Sequence, residues 1–228
     1  RTRVLVEIGD EVNDRASFLG VERARRSLIC RLNGRDVQKR SWLAEALPLQ
    51  WIGSQPQLLL SMGPEVRRRF LDMGLFHVEP AYAQEWRRYN RALKQRNAAL
   101  RNKAAVDQVI VWNDDLIKSG KTINLYRTKL ISNITNSFNK LFCYLIDESH
   151  AINVKYQPGY PTGKSLETCL DEQLQKDRDQ GFTQYGIHRA DFSFQEDDKD
   201  IMPQLSRGQQ KLLIIALQLS QPAKNLEN

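Results

Sequence analysis

Leu205-Ser206-Arg207-Gly208-Gln209-Gln210 stands directly before the apolar run Lys211-Leu-Leu-Ile-Ile-Ala-Leu-Gln-Leu219. The pattern predicts a buried helix whose first turn is built from a serine, a glycine and a glutamine. The first N–H groups of a helix lack partners within it, and its dipole places partial positive charge there. Such a terminus suits an anion. Ser206 with Gln209 three residues on also reads as an S-x-x-Q capping box, which needs no ligand. The two readings are compatible, because capping the helix is what aims its N–H groups.

A second pattern sits between Glu85 and Lys103, where the charged side chains are basic apart from Glu85 itself. Arg87, Arg91, Lys94 and Arg101 fall on one face of a predicted helix, with Arg88 beside them. Trp86, Tyr89, Leu93 and Leu100 form the opposite stripe. A basic face of this kind can follow a phosphate backbone by charge, without reading sequence. The plainer reading is a solvated face whose stems lie along apolar surface. The aromatic stripe reads as core rather than as a base-stacking platform.

Two further segments imitate nucleotide chemistry. Gly159-Tyr-Pro-Thr-Gly163-Lys164-Ser165 resembles a phosphate-binding loop, but Pro158 stands where G-x-x-x-x-G-K-[ST] needs its first glycine. It reads as a turn leading into a helix capped by Ser165. Phe142-Cys-Tyr-Leu-Ile146-Asp147-Glu148 imitates a strand ending in a metal-binding acid, yet reads as the end of a long helix. His77, His150 and His188 do not combine with Cys30, Cys143 and Cys169 at zinc-ligand spacings, so no metal site is expected.

The elements that position these residues follow from periodicity and turn chemistry. Arg3 to Ile8 and Ser27 to Leu32 read as strands. Asn33-Gly34 reads as a hairpin turn into Arg35 to Lys39. Ser41 to Leu47 reads as a short helix and Leu49 to Ile52 as a strand. Pro64 and Glu65 mark a helix start. Ala81 to Lys103 and Trp112 to Leu141 carry helical periods in series, as in an arm or hairpin. Ile152 to Tyr156 and Ala190 to Phe194 read as strands, Ser165 to Asp179 as a polar helix, and Glu196-Asp197-Asp198 as a solvated turn. Within the Pro64 helix, Arg68 and Asp72 are spaced as an i,i+4 pair.

The 228 residues, 41% hydrophobic and 27% charged, fit a soluble globular protein. No apolar run is long enough to span a membrane. Three scattered cysteines argue against a disulfide framework and for a reducing, cytoplasmic setting. The net charge of +7 points to a polyanionic partner. Arg1 rather than Met opens the chain and leads straight into a strand pattern, so the chain reads as a fragment.

Leu59 to Pro80, and above all Gly63-Pro64-Glu-Val-Arg67-Arg68-Arg69-Phe70-Leu71-Asp72 followed by Phe76-His77, resembles the signature region of the RecF family. Met62 departs from a family glycine, and Ser54-Gln55 from a common Pro-Glu. Leu93-Lys-Gln-Arg-Asn-Ala-Ala-Leu100, Gly186-Ile-His188-Arg189-Ala-Asp191 and Leu205 to Gln209 are similar to further family segments, in family order across almost the whole chain. The last of these is the Leu-Ser-x-Gly-Gln signature of ABC-type ATPases.

The resemblance implies an α/β fold, a partial P-loop ABC-type ATPase head with an inserted, mainly α-helical arm domain. Residues 1–80 would be the middle of the head, 81–150 the arm, and 151–228 the return to the head. It implies that the P-loop precedes Arg1 and that the Mg²⁺-binding strand follows Asn228, so no catalytic residue is expected in this chain. In the full-length protein, a weak ATPase, ATP and Mg²⁺ would bind. Ser206, Arg207, Gly208 and Gln209 would contact ATP held by the other subunit of an ATP-dependent homodimer. Gln55 stands where a Q-loop glutamine would meet Mg²⁺. Arg87, Arg88, Arg91, Lys94 and Arg101 would contact single-stranded, gapped or duplex DNA. RecR-like and RecO-like mediators would be partners in recombination and the SOS response. His188 precedes the signature and so does not take the place of an ABC switch histidine. Two alternatives remain at this point: a helical-arm DNA-binding or scaffold protein without nucleotide chemistry, and a nucleotide kinase using Gly159 to Ser165.

Overall fold

The computed structural model describes residues 2–10, 15–24, 27–37, 58–146 and 150–221. The chain divides into two compact units, Arg1–Trp51 with Ala223–Asn228, and Ile52–Pro222. Ser41 to Leu47, Leu49 to Ile52 and Gln55 lie outside the described residues.

In the first unit, β1 (Thr2–Asp10), β2 (Arg15–Arg23), β3 (Leu28–Leu32) and β4 (Arg35–Asp36) form an antiparallel meander in chain order. Asn33 and Gly34 both take positive φ, 49° and 79°, as a two-residue hairpin between twisted strands requires. The Asn33 side chain also accepts a hydrogen bond from the Phe18 N–H at 2.7 Å, which ties the turn to β2. Sequence periodicity does not reveal β2, because Gly20, Glu22 and Arg23 break the apolar alternation. Glu22 is nevertheless buried, with Arg3 of β1 at 3.4 Å.

The second unit is organised around one helix. Its elements are α1 (Leu58–Ser61), α2 (Pro64–Val78), α3 (Tyr82–Arg101), α4 (Val106–Ile110), α5 (Asn113–Ile146), β5 (Asn153–Gln157), α6 (Leu166–Glu172), α7 (Leu174–Gln180), β6 (Asp191–Glu196), β7 (Lys199–Asp200) and α8 (Arg207–Leu219). With 34 residues, α5 is about 50 Å long. Its buried positions include Leu116, Ile123, Arg127, Leu130, Ile134, Phe138 and Phe142, spaced by three, four and seven residues. That spacing is one continuous helical stripe. α2, α3, α6, α8 and β5 all pack on it. α3 runs back along α5, so Arg96 meets Asn113 near one end and Tyr82 meets Arg127 further along. β5, β6 and β7 form an antiparallel sheet in chain order, and Phe194 of β6 packs on Phe138 of α5. Among the described residues no helix is long and apolar enough to cross a membrane.

Several sequence expectations are refined. The polar helix expected over Ser165 to Asp179 is two helices that meet at Gln173. The Gly159 to Ser165 segment is a turn: Ser165 caps α6 by accepting from the Thr168 N–H, and Lys164 pairs with Glu172 at 2.5 Å. Phe142 to Ile146 ends α5, as expected. Asp197 and Asp198 turn β6 into β7 with φ of 49° and 59°.

The Arg68–Asp72 pair does not form. Asp72 is instead buried against α5, accepting from Arg127 Nη2 at 2.7 Å, Tyr82 Oη at 2.5 Å and Trp86 Nε1 at 3.0 Å. Arg127 also donates to the Ile187 carbonyl at 2.9 Å, while Arg68 donates to the Ala190 carbonyl at 2.9 Å. An exposed i,i+4 pair contributes a few tenths of a kcal/mol, whereas a buried carboxylate must be paired. The burial of both α5 and α2 decides which arginine Asp72 meets. Removing Arg127 leaves that charge uncompensated. Arg127→Met is expected to lower stability by about 3–5 kcal/mol in urea denaturation, far more than Arg69→Met at the exposed Glu65 pair.

Candidate functional site

The N-terminus of α8 has the geometry anticipated from its sequence. Ser206 takes extended backbone angles, φ −62° and ψ 160°, as an N-cap does. Its hydroxyl accepts from the Gln209 N–H at 3.2 Å, and its own N–H donates to Gln209 Oε1 at 2.9 Å. Both halves of the capping box are therefore closed. Gln210 braces the turn from below, donating to the Met202 and Leu205 carbonyls at 3.1 Å each. Behind it, Leu213, Ile214, Ala216 and Leu217 are buried and anchor the helix against α5.

Ser206, Arg207 and Gly208 are exposed. The helix provides no i−4 carbonyl for the N–H groups of Arg207 and Gly208, which face outward as donors. The Gln209 side chain, in contrast, is engaged in the cap. Glycine inside a helix costs roughly 0.5–1 kcal/mol relative to alanine. Nothing in the fold demands it here, since a Cβ on Gly208 would meet nothing nearer than Ser206 Oγ at 3.9 Å. What the missing side chain does is keep the approach to the helix N-terminus open. These groups fit an incoming phosphate. They do not fit a metal ion, and among the described residues no three His, Cys, Asp or Glu side chains cluster as ligands.

One flank of α8 borders a groove of about 840 Å³, whose lining includes Arg207, Lys211, Phe192, Arg67 and Asp191. Arg67 crosses it as a bidentate partner of Asp191, at 2.6 and 2.8 Å, and donates to the Leu60 carbonyl at 3.0 Å. α1, α2 and β6 are locked together by this one side chain. In the sequence, Arg67 and Asp191 stand in two separate RecF-like segments. Their contact spans 124 positions, which no local pattern encodes.

The basic face of α3 is divided by register. Arg87, Arg91, Lys94 and Arg101 are exposed on one side. Arg88, a step around the helix, turns toward α5 and pairs with Asp115 at 2.6 Å. Arg96 points the opposite way and is fully buried, bonded to Asn113 at 2.9 Å and to Asp177 and Thr183 at 2.7 Å each. The signal for Arg96 was available: it falls on the Tyr89, Leu93 and Leu100 stripe, of which Tyr89 and Leu100 are buried.

His188 is also internal. Its Nε2 donates to the Thr183 carbonyl at 3.0 Å, so Nδ1 is left to accept from the Tyr89 hydroxyl at 2.8 Å. Both contacts suit the neutral ring. Burial, reinforced by the charges of Arg189, Arg68 and Arg96, pushes its pKa down to about 4.

The two antiparallel sheets and the helices packed along α5 define the class, an α/β fold whose second unit is mainly helical. The fold is that of the solved recombination mediator protein RecF-ATPrS in the RecFOR pathway, with a TM-score of 0.78 at 19% identity, covering 96% of this chain and 62% of that one. The solved RecF-ATP structure matches with the same TM-score at 20% identity, covering 92% and 59%. In sequence, the DNA replication and repair protein RecF of Nitrosococcus oceani is 39% identical over 205 residues, and that of Thioalkalivibrio sulfidiphilus 36% over 203. Each alignment takes in 89% of this chain and 56% of the relative, so the chain spans a little over half the length of these curated relatives. No protein-family model matches the sequence. Over the length it spans, the chain is similar to RecF proteins in sequence and in fold.

The buried histidine makes stability pH-dependent. The His188 pKa is lowered on folding, so the unfolded state binds more protons below its ordinary value of 6.5. The contribution is complete above about pH 6.5 and is lost as pH falls toward 4. Urea denaturation between pH 7.5 and 4.5 should show a decline of up to about 2–3 kcal/mol, and His188→Gln should flatten it.

Proposed function

We propose that the full-length protein is a cytoplasmic DNA replication and repair protein. In this reading ATP joins two copies, and the joined pair holds DNA at gaps. The observation that carries the proposal is the N-terminus of α8. It is exposed, fully capped, and cleared by Gly208, an arrangement that serves an anion arriving from outside the chain. In this reading Ser206, Arg207 and Gly208 meet the terminal phosphate of ATP bound to the other copy. Gln209 acts by holding the cap. The P-loop and the Mg²⁺ ligands belong to parts of the protein outside this chain, and hydrolysis is slow and resets the pair. The names of the relatives, and the RecF-ATP complex among the solved structures, support the same reading.

DNA would lie along α3. Arg87, Arg91, Lys94 and Arg101 are exposed and have no acidic partner among the described residues, whereas Arg88 is already committed to Asp115 and contributes less. RecR-like and RecO-like proteins would act on the same DNA in recombination and the SOS response, as the RecFOR pathway of the solved relatives suggests. Against the kinase alternative stands the Gly159 to Ser165 turn, in which Ser165 caps α6 and Lys164 pairs with Glu172. The scaffold alternative keeps one observation in its favour, the complete capping box.

Two variants separate ATP contact from capping. In the full-length protein, Ser206→Arg should abolish ATP-dependent dimerisation in sedimentation while each monomer still binds ATP. Ser206→Asp retains a capping group but sets negative charge against phosphate, and should abolish the dimer too. A normal ATP-dependent dimer for Ser206→Asp would leave Ser206 as a cap only. For DNA, replacing Arg87, Arg91 and Lys94 with Gln should weaken binding of all sequences alike. It should also reduce the slope of log K against log salt by about 0.7–0.9 per lost phosphate contact.

A further inference from the structure

Away from α8, a second pocket of about 540 Å³ opens between two loops, residues 157–161 and 182–189. Gly159 clamps the loops: its carbonyl accepts from the Gly186 N–H at 3.1 Å, and at φ 86° any Cβ there would collide with the Gly186 carbonyl and the Ala190 nitrogen. The lining includes Tyr160, Phe182, Tyr185, Gln157, Gln184 and Arg189. The three rings are half-buried, so each keeps part of its surface open. The Arg189 guanidinium stands over the Phe182 ring, 5.4 Å from its centre. Gln184 Nε2 is buried and has no partner among the described residues.

Among the described residues, the charge that lines the pocket has one sign. Its lining carries Arg189 and no acid. Asp177, which accepts from the Gln184 N–H, is itself paired with Arg96. α3 leads to this rim. The stem of Arg101 packs on Gly181, where a Cβ would lie 3.3 Å from Arg101 Cγ, and Phe182 follows at once.

We propose that this pocket receives an unpaired base of a nucleic-acid strand whose phosphates follow the basic face of α3. The inference rests on the DNA-binding reading above and adds a preference to it. Aromatic faces stack on any base, so such a site tolerates sequence. Arginine serves both the ring face and a phosphate. A glutamine amide offers donor and acceptor to a base edge. A paired base cannot enter without leaving its stack, which costs a few kcal/mol, so the pocket favours single strands and gaps.

The test uses the full-length protein. Tyr185→Leu and Phe182→Leu should each weaken binding of a single-stranded oligonucleotide by roughly tenfold. They should leave blunt duplex binding and the salt slope unchanged. Tyr185→Phe keeps the ring and should bind like the wild type. With wild-type protein, and so independent of any effect on folding, an abasic strand should bind more weakly than one carrying bases. Equal loss for duplex and single strand, no loss for either, or an abasic strand that binds as well as the natural one would overturn the proposal. Displacement of the strand by free AMP at matching affinity would overturn it as well, making the pocket a mononucleotide site. The DNA-binding reading fails by a different result, a salt slope untouched by the Gln substitutions on α3. A wild-type protein that binds no DNA removes both.

Discussion

The second unit depends on the burial of Arg127 against Asp72. Arg127 comes from the middle of α5 and Asp72 from α2, and the two are closed by the Tyr82 and Trp86 side chains of α3 and the Ile187 carbonyl. One ion pair thus fixes three helices and the loop before β6. A buried pair contributes little net stability compared with apolar residues of the same size. Its effect is on arrangement: any slip of α2 or α3 along α5 would strand a charge away from water.

Two similar clamps extend that frame. Arg96 joins α3 to Asp177 and Thr183, and Arg67 joins α2 to Asp191 of β6. Each reaches across more than 80 positions of the chain. The helices therefore meet the return segment through arginines whose planar forks demand definite partner positions. α8 docks on the same α5 stripe, so the direction of its N-terminus follows from this framework and not from its own turn alone.

The arginines of α3 divide the labour of the helix. Successive residues turn about 100° around a helix, so Arg87 and Arg91 stay in water while Arg96, on the far side, is fully enclosed. Gly208 follows the opposite logic. It weakens its helix slightly and fills no space, which leaves the helix N-terminus open to solvent.

Local chemistry carried much of this chain. The period of α5, the Pro64 start of α2, the Asn33-Gly34 hairpin and the Ser206–Gln209 capping box follow from residues within one or two turns of each other, where sequence spacing is spatial spacing. β2 was not legible, because burial of its mixed residues is set by the strands on either side. Nor was the partner of Asp72: sequence spacing favours Arg68, but only the packing of α2 on α5 removes Asp72 from water and brings Arg127 to it. The same holds for Arg96 with Asp177, and for the two loops clamped at Gly159 and Gly186. Sequence by itself determined the helices, the cap and the chemical character of each face. The tertiary structure decided which charges are enclosed, because desolvation depends on everything that surrounds a group and not on its neighbours along the chain.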